Sequence, residues 1–244
     1  MARKLRFDGK TAILTGAGGG IGSAMAKMLA SLGFHLVLVG RTESKLIRAA
    51  EEAGCAGDAL ILTGDLTDEA FVGRIIPETL RRFGGLDLLI NNAGTLVAKP
   101  ITETGWDELD NILKTNVYAP YMLCRDAVAP LKKSDCATII NIGSIVSYVG
   151  YAEQSAYSTS KHALLGLTKA LAQAVYKDGI RVHLLAPGGV DTPLAGNISQ
   201  LDKSVAKLIA PEDLADVAEF LLTHRDTNAV IDEVRLHRIG KAPF

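Results

Sequence analysis

Cysteine is scarce in this chain. Cys55, Cys124 and Cys136 are the only three in 244 residues. Their spacing fits neither a disulfide framework nor a zinc site, so three reduced thiols are expected. An excess of either charge is also missing. Twenty-six basic residues stand against 27 acidic ones, a net charge of −1. Nothing therefore drives general binding to nucleic acid or to an anionic membrane. No uninterrupted apolar run is long enough to span a bilayer. Met1 to Lys10 is charged and too short for a signal peptide, so a cytoplasmic protein is expected. The five histidines (His35, His162, His183, His224 and His237) show no paired ligand spacing, and no metal is expected. Linkers, internal repeats and low-complexity tracts are absent, so residues 1–244 read as a single domain.

What is present is apolar and rich in turns. Hydrophobic residues make up 48% of the chain and glycines number 24, the profile of a compact globule rather than a disordered chain. Short β-branched and leucine runs alternate with longer helical patterns. Strands are expected near Thr11–Thr15, His35–Val39, Ala59–Thr63, Leu86–Asn91, Thr138–Ile142, Arg181–Leu185 and Glu233–His237. Most are continuous apolar runs, as in strands covered on both faces. Helices are expected near Gly20–Leu32, Glu43–Glu52, Asp68–Phe83, Trp106–Leu131, Ala156–Lys177 and Pro211–Leu222. Thr42 and Thr67 are N-cap candidates with acids just after them. Pro211 suits a first helical turn, and Gly33, Gly54 and Gly179 fall where helices should stop. Alternating βα units imply a doubly wound α/β fold, a parallel sheet with helices on both faces.

The first strand runs into a glycine-rich turn, Thr15-Gly16-Ala17-Gly18-Gly19-Gly20-Ile21-Gly22, which opens the first helix. Such a turn lets the backbone approach a pyrophosphate closely and presents a helix N-terminus to it. The second strand ends Val39-Gly40-Arg41-Thr42. An acid at that point would hold the ribose hydroxyls of NAD(H). Gly40 instead leaves room, and Arg41 suits a 2′-phosphate, so NADP(H) is preferred and NAD(H) is the alternative.

Tyr157 and Lys161 stand one helical turn apart on one face. A cation beside a phenol stabilises the phenolate, so Lys161 is expected to lower the Tyr157 pKa and make it a proton donor usable near neutrality. Ser144 closes the apolar run Thr138–Ile142 and can hydrogen-bond an oxygen as negative charge develops there. Turn, serine, tyrosine and lysine together are the parts of an enzyme that moves a hydride between a nicotinamide and a carbonyl or secondary alcohol. Each has a plainer reading taken singly: a ligand-free bend, a strand-end hydroxyl, a packed tyrosine, a solvated lysine.

These motifs, in this order, resemble the short-chain dehydrogenase/reductase family over almost the whole chain. Thr15, Gly16, Gly20 and Gly22, with Ile21 between the last two, fit its TGxxxGxG turn. Asp65, followed by Leu66, matches the acid after the third strand that contacts adenine. Asn91-Asn92-Ala93-Gly94 fits its NNAG motif. Asn116, Ser144, Tyr157 and Lys161 fit its catalytic tetrad. Pro187-Gly188-Gly189-Val190-Asp191-Thr192-Pro193 looks like the loop that holds the nicotinamide end, with Pro187, Gly188, Val190 and Thr192 as contacts. The resemblance implies a seven-stranded Rossmann sheet in the order 3-2-1-4-5-6-7 with the site at the strands' carboxyl ends. It implies that Tyr157 is the acid/base, that Lys161 also holds the nicotinamide ribose, and that Asn116 holds a water joining Lys161 to solvent. It further implies a small-molecule substrate, a 3-oxoacyl thioester among the candidates, and a homodimer or homotetramer. The stripe Leu164, Leu167, Leu171 and Val175 fits such an interface or simply the core.

Two segments depart from the pattern. Pro193 to Ala210 should form the substrate lid but is short, with Ile198, Leu201, Val205 and Leu208 hinting at an amphipathic turn. After the last strand the chain reads His237-Arg238-Ile239-Gly240, where many relatives carry a glycine pair. Ser147, Tyr148, Tyr151 and Gln154, between Ser144 and Tyr157, are candidates for lining the substrate pocket. The competing reading is a non-catalytic NADP(H)-binding sensor or scaffold. The complete tetrad argues against it, since a sensor has no need of Tyr157 or Ser144.

Overall fold

A computed structural model describes residues 7–194, 207–225 and 227–240. Seven strands form one sheet in the order β3-β2-β1-β4-β5-β6-β7. They are β1 (Thr11–Thr15), β2 (His35–Gly40), β3 (Leu60–Thr63), β4 (Leu88–Asn91), β5 (Thr138–Ile142), β6 (Arg181–Pro187) and β7 (Glu233–Leu236). Every neighbouring pair is parallel. The helices are α1 (Gly20–Leu32), α2 (Glu43–Glu52), α3 (Glu69–Phe83), α4 (Trp106–Leu113), α5 (Ala119–Leu131), α6 (Ser155–Val175) and α7 (Pro211–Thr223). The chain therefore adopts the doubly wound Rossmann fold.

Strand alternation builds two cores from the same runs. Ala12, Leu14, Leu36, Leu38, Ile140, Ile142 and Leu185 face α1, α2 and α7. Ile13, Val37, Val39, Leu89, Ile139 and Val182 face α3, α5 and α6. In the α6 stripe, Leu164 and Val175 are buried, and Leu171 packs against the second core.

The expected helix over Trp106–Leu131 runs without a break but is not α-helical throughout. A π-helical turn, Lys114–Tyr118, separates α4 from α5. Its sequence cause is Pro120, which has no N–H to give the carbonyl four residues earlier, that of Asn116. The N-cap of α3 is Asp68 rather than Thr67, and the Ala70 N–H donates to its Oδ1 at 2.9 Å. Thr67 instead donates to Asp65, both N–H and hydroxyl reaching Oδ1 at 2.9 Å. Thr42 takes the N-cap position of α2 without a side-chain cap bond. Gly33 ends α1 in the left-handed region at φ 96°.

Among the described residues the lid expectation survives only at its ends. Ile198, Leu201 and Val205 lie outside them. Ile209 is buried and bridges Val190, its N–H donating to Gly189 O at 3.0 Å while its carbonyl accepts from Asp191 N at 2.9 Å. Residues 209 and 210 therefore belong to the frame of the site rather than to a cover over it.

Candidate active site

All seven strands run the same way, so their carboxyl ends share one edge, and that edge carries the predicted residues. At β1 the turn begins with Gly16 at φ 67°. A Cβ there would stand 2.8 Å from Ala93 Cα, and one on Gly22 would stand 2.2 Å from Gly16 O. Only glycine fits either place. Thr15 ties this turn to β4. Its Oγ1 accepts the N–H groups of Asn92 and Ala93, both at 3.0 Å, while Asn92 Nδ2 donates to Thr15 O at 2.9 Å and Gly16 O at 3.2 Å. The result is a shallow cradle of backbone at the N-terminus of α1. Its shape and its donors fit a dinucleotide diphosphate.

A cavity of about 260 Å³ opens beside the cradle. Ile21, Asn92, Gly94, Pro187, Gly188, Val190 and Thr192 line it together with Ser144, Tyr157 and Lys161. Gly20 meets the same wall, since a Cβ on it would lie 3.0 Å from Thr192 Cγ2. Arg41, Asp65 and Leu66 are not part of this cavity. They follow β2 and β3, whose ends Gly40 and Thr63 are paired. Arg41 and Asp65 are exposed and Leu66 is buried. This set sits at the far end of the edge, where the other half of a dinucleotide would reach.

Ser144 caps a short 3-10 turn, Ile145–Ser147, and the Val146 N–H donates to its Oγ at 3.4 Å. Its hydroxyl also stands on the same cavity wall as the Tyr157 phenol and holds that phenol's pKa down in part. Lys161 is buried, and its Nζ donates to Ile142 O at 2.8 Å, 5.8 Å from the Tyr157 ring centre. Asn116 is buried in the π turn. Thr95 N–H donates to its Oδ1 at 2.9 Å, and its Nδ2 donates to Thr95 O at 2.9 Å and Ser160 Oγ at 3.0 Å. A Cβ on Gly94 would lie 3.5 Å from Asn116 Oδ1 and 3.7 Å from Lys161 Nζ. Gly94 thus packs against both Asn116 and Lys161, of which Lys161 lines the cavity.

The expected lowering of the Tyr157 pKa is not what this arrangement gives. Burial pushes the phenol up to about 12, and the nearby Ser144 hydroxyl only partly opposes it. Tyr157 is partly open to the cavity, yet the atoms crowding its hydroxyl outweigh that opening. Burial likewise pulls the Lys161 ammonium down to about 8. At this geometry desolvation is larger than the attraction between the two groups.

Of the loop candidates, Tyr151 and Gln154 line the cavity. Ser147 does not. It is fully buried, and its Oγ accepts the Ser144 N–H at 3.2 Å. Tyr148 turns away, donating to Glu233 Oε2 at 2.5 Å with the Arg235 guanidinium 3.8 Å above its ring. Sequence reasoning missed His237 and Arg238, which close the cavity beyond β7. At the opposite edge Asp87, Asp135 and Cys136 come within 4.8 Å of one another. Lys10 already joins them, 2.6 Å from Asp135 and 3.6 Å from Asp87. The group reads as an ion-paired cluster.

Residues 10–203 match the family model described as short chain dehydrogenase. The 3-oxoacyl-acyl-carrier-protein reductase FabG of Salmonella typhimurium is 30% identical over 243 residues, 97% of this chain and 98% of that one. A 3-ketoacyl-acyl-carrier-protein reductase from Brucella melitensis, solved in complex with NADH, is 30% identical with a TM-score of 0.86 over 94% of this chain and 97% of that one. A metagenomic short-chain oxidoreductase in complex with NADP is 32% identical with a TM-score of 0.82, covering 98% and 100%. The chain belongs to the short-chain dehydrogenase/reductase family and is an NAD(P)-dependent oxidoreductase. No helix among the described residues is long and apolar enough to cross a membrane.

The buried lysine has a measurable consequence. Its folded pKa of about 8 lies below the ordinary 10.5, so the unfolded chain binds more protons between those values. Stability from this group is therefore present above about pH 10.5 and lost as pH falls through 8. Tyr157 acts oppositely and only above pH 10, since its pKa is raised. Between pH 8 and 10 the wild type should gain about 2 kcal/mol relative to Lys161→Met in urea unfolding. Parallel stability curves for the two proteins would refute the assignment.

Proposed function

We propose that the protein transfers a hydride between NADP(H) and a carbonyl or secondary alcohol, with Tyr157 as the acid/base. The observation that carries this reading is that two hydroxyls, Ser144 and Tyr157, line one cavity beside a buried lysine, Lys161. The nicotinamide, when bound, supplies or accepts the hydride. Ser144 donates to the substrate oxygen and stabilises the charge that grows on it. Tyr157 gives its proton to that oxygen in reduction and takes it back in oxidation. Lys161 is the cation that favours the phenolate once the two groups are drawn closer, and it also serves the nicotinamide ribose. Asn116, buried next to Gly94, is assigned the water leading from Lys161 to solvent. Asn92, Ala93, Gly94, Pro187, Gly188, Val190 and Thr192 frame the nicotinamide end, Thr15, Gly16, Gly20, Ile21 and Gly22 the diphosphate, and Asp65 with Leu66 the adenine. A 3-oxoacyl thioester is the substrate class suggested by the two relatives that bear that name. Tyr157→Phe should lower turnover at least about 10²-fold with cofactor binding intact. A variant that turns over at near-normal rate would sink the assignment.

The preference for NADP(H) over NAD(H) rests on Arg41, exposed beside the small Gly40. Lys45 supports it from α2, since a Cβ on Gly18 would lie 2.8 Å from Lys45 Cβ. The lysine stem thus lies against the turn. Two cations at this corner suit a 2′-phosphate. NADPH should raise the unfolding midpoint more than NADH, and Arg41→Ala should weaken NADPH binding about 10- to 100-fold while leaving NADH unchanged. Equal losses for both cofactors would remove Arg41 from the reading.

A homodimer or homotetramer in the cytosol completes the proposal. Trp106 in α4, Tyr118 in the π turn and Tyr121 in α5 stand 87%, 52% and 55% exposed, aromatic side chains of the kind that subunit interfaces cover. Light scattering should give a mass of two or four chains, and a monomer mass would count against the assembly.

A further inference from the structure

The wall of the cavity farthest from the glycine turn is built by the chain that leaves β7. Leu236 pairs with Pro187, and the Gly188 N–H donates to Leu236 O at 2.8 Å. A Cβ placed on Gly188 would lie 3.9 Å from both His237 Cα and Ile145 Cγ2. This register brings His237 and Arg238 to the side of the cavity where Ile145 follows Ser144. Arg238 lines the cavity, and its Nη1 is buried with no hydrogen-bond partner. A guanidinium stays charged, and a buried donor without an acceptor is costly, so such a group calls for a partner. Among the described residues that line the cavity none is an aspartate or glutamate, and the other cation is Lys161.

We propose that Arg238 is an anion-binding group of the substrate site, and that the substrate is a carbonyl or alcohol compound carrying a carboxylate or a phosphate. This deepens the oxidoreductase reading and rests on it. Strand order says why the anion belongs to the substrate and not to the cofactor. The phosphate cradle lies at the end of β1, and β4, β5 and β6 stand between it and β7. Ser144, at the end of β5, falls between the two. A molecule whose reacting oxygen meets Ser144 and Tyr157 extends toward Arg238 on the side away from the cradle. Arg is the side chain suited to a planar or tetrahedral oxyanion, through two parallel N–H bonds.

The test is equilibrium binding by calorimetry to wild type, Arg238→Gln and Arg238→Lys. The ligands are acetoacetate against its methyl ester, and dihydroxyacetone phosphate against dihydroxyacetone. At least one anion should bind wild type about 10- to 100-fold tighter than its uncharged partner. Arg238→Gln should abolish that difference and Arg238→Lys should keep part of it. Which anion shows the preference tells carboxylate from phosphate. The proposal is overturned if wild type prefers neither anion, or if the preference survives in Arg238→Gln. Reduction of uncharged carbonyl compounds is read separately. A wild type that reduces none counts against the oxidoreductase reading, while the binding comparison still decides Arg238.

Discussion

The hydroxyl of Thr15 is the small interaction on which the site depends. Where the chain leaves β4, the Ala93 N–H has passed the end of the ladder and the Asn92 N–H reaches back to Ile90 O at 3.1 Å, so a further acceptor is needed there. Thr15 Oγ1 takes both. Asn92 returns two bonds to the backbone of Thr15 and Gly16. Two adjacent strands, β1 and β4, are thereby clamped at the point where the sheet's order reverses. The glycine turn hangs from one side of that clamp, and the segment leading to Thr95 and Asn116 from the other. A second polar ladder stiffens the neighbouring strands. Asn91 donates to Asn141, Asn141 to Thr168, and Thr168 to Leu164 O. This fixes α6, and with it Tyr157 and Lys161, against β4 and β5.

Against that rigid frame Tyr157 and Lys161 are held at a cost. Two ionisable groups are buried within one cavity wall, and burial moves each toward its neutral form: the phenol up, the ammonium down. A simple sequence argument, that a lysine one turn away must lower a tyrosine's pKa, weighs only the attraction. The geometry shows why the opposing effect prevails. The lysine points to Ile142 O, and its distance from the ring leaves the attraction too weak to offset lost hydration. Apolar residues would fill this wall more stably. Retaining a lysine there makes sense for chemistry, not for folding.

The sheet was legible because fully buried parallel strands are continuous apolar runs, and the runs in β1, β2 and β5 leave no other reading. That Ser144, Tyr157 and Lys161 share one place was legible because Tyr157 and Lys161 stand one turn apart in a single helix and Ser144 closes a strand. What escaped depended on contacts between distant segments. Tyr148 could not be assigned from its place near Ser144, because the 3-10 turn Ile145–Ser147 rotates it toward Glu233, far away in sequence. Ser147 was lost to the pocket by the same turn. Arg238 could not be found because its position follows from the β6–β7 register, which no local pattern announces. The π turn around Asn116 did have a signal, Pro120, but helical periodicity continues through it and hid the missing donor. Thr67 was mistaken for a cap because its neighbour Asp68 offers the same hydrogen bond one residue later.

The electrostatics of the cavity join these points. The described residues give its walls two cationic side chains, Lys161 and Arg238, and no carboxylate. A buried cation is stabilised by whatever anion shares its low-dielectric surroundings, and more strongly there than in water. Negative charge entering the cavity, whether carried on a substrate or growing on a carbonyl oxygen beside Ser144, therefore favours the charged form of Lys161. A charged Lys161 in turn favours the Tyr157 phenolate, which is the form left when the proton has been given up. The same shortage of carboxylates that makes the lysine costly to fold makes the wall responsive to charge that develops during reaction. Preorganised cations facing a site of developing negative charge need no rearrangement at that moment. In the proposed reaction, the stability given up at rest is thus the source of the stabilisation available when the substrate oxygen becomes negative.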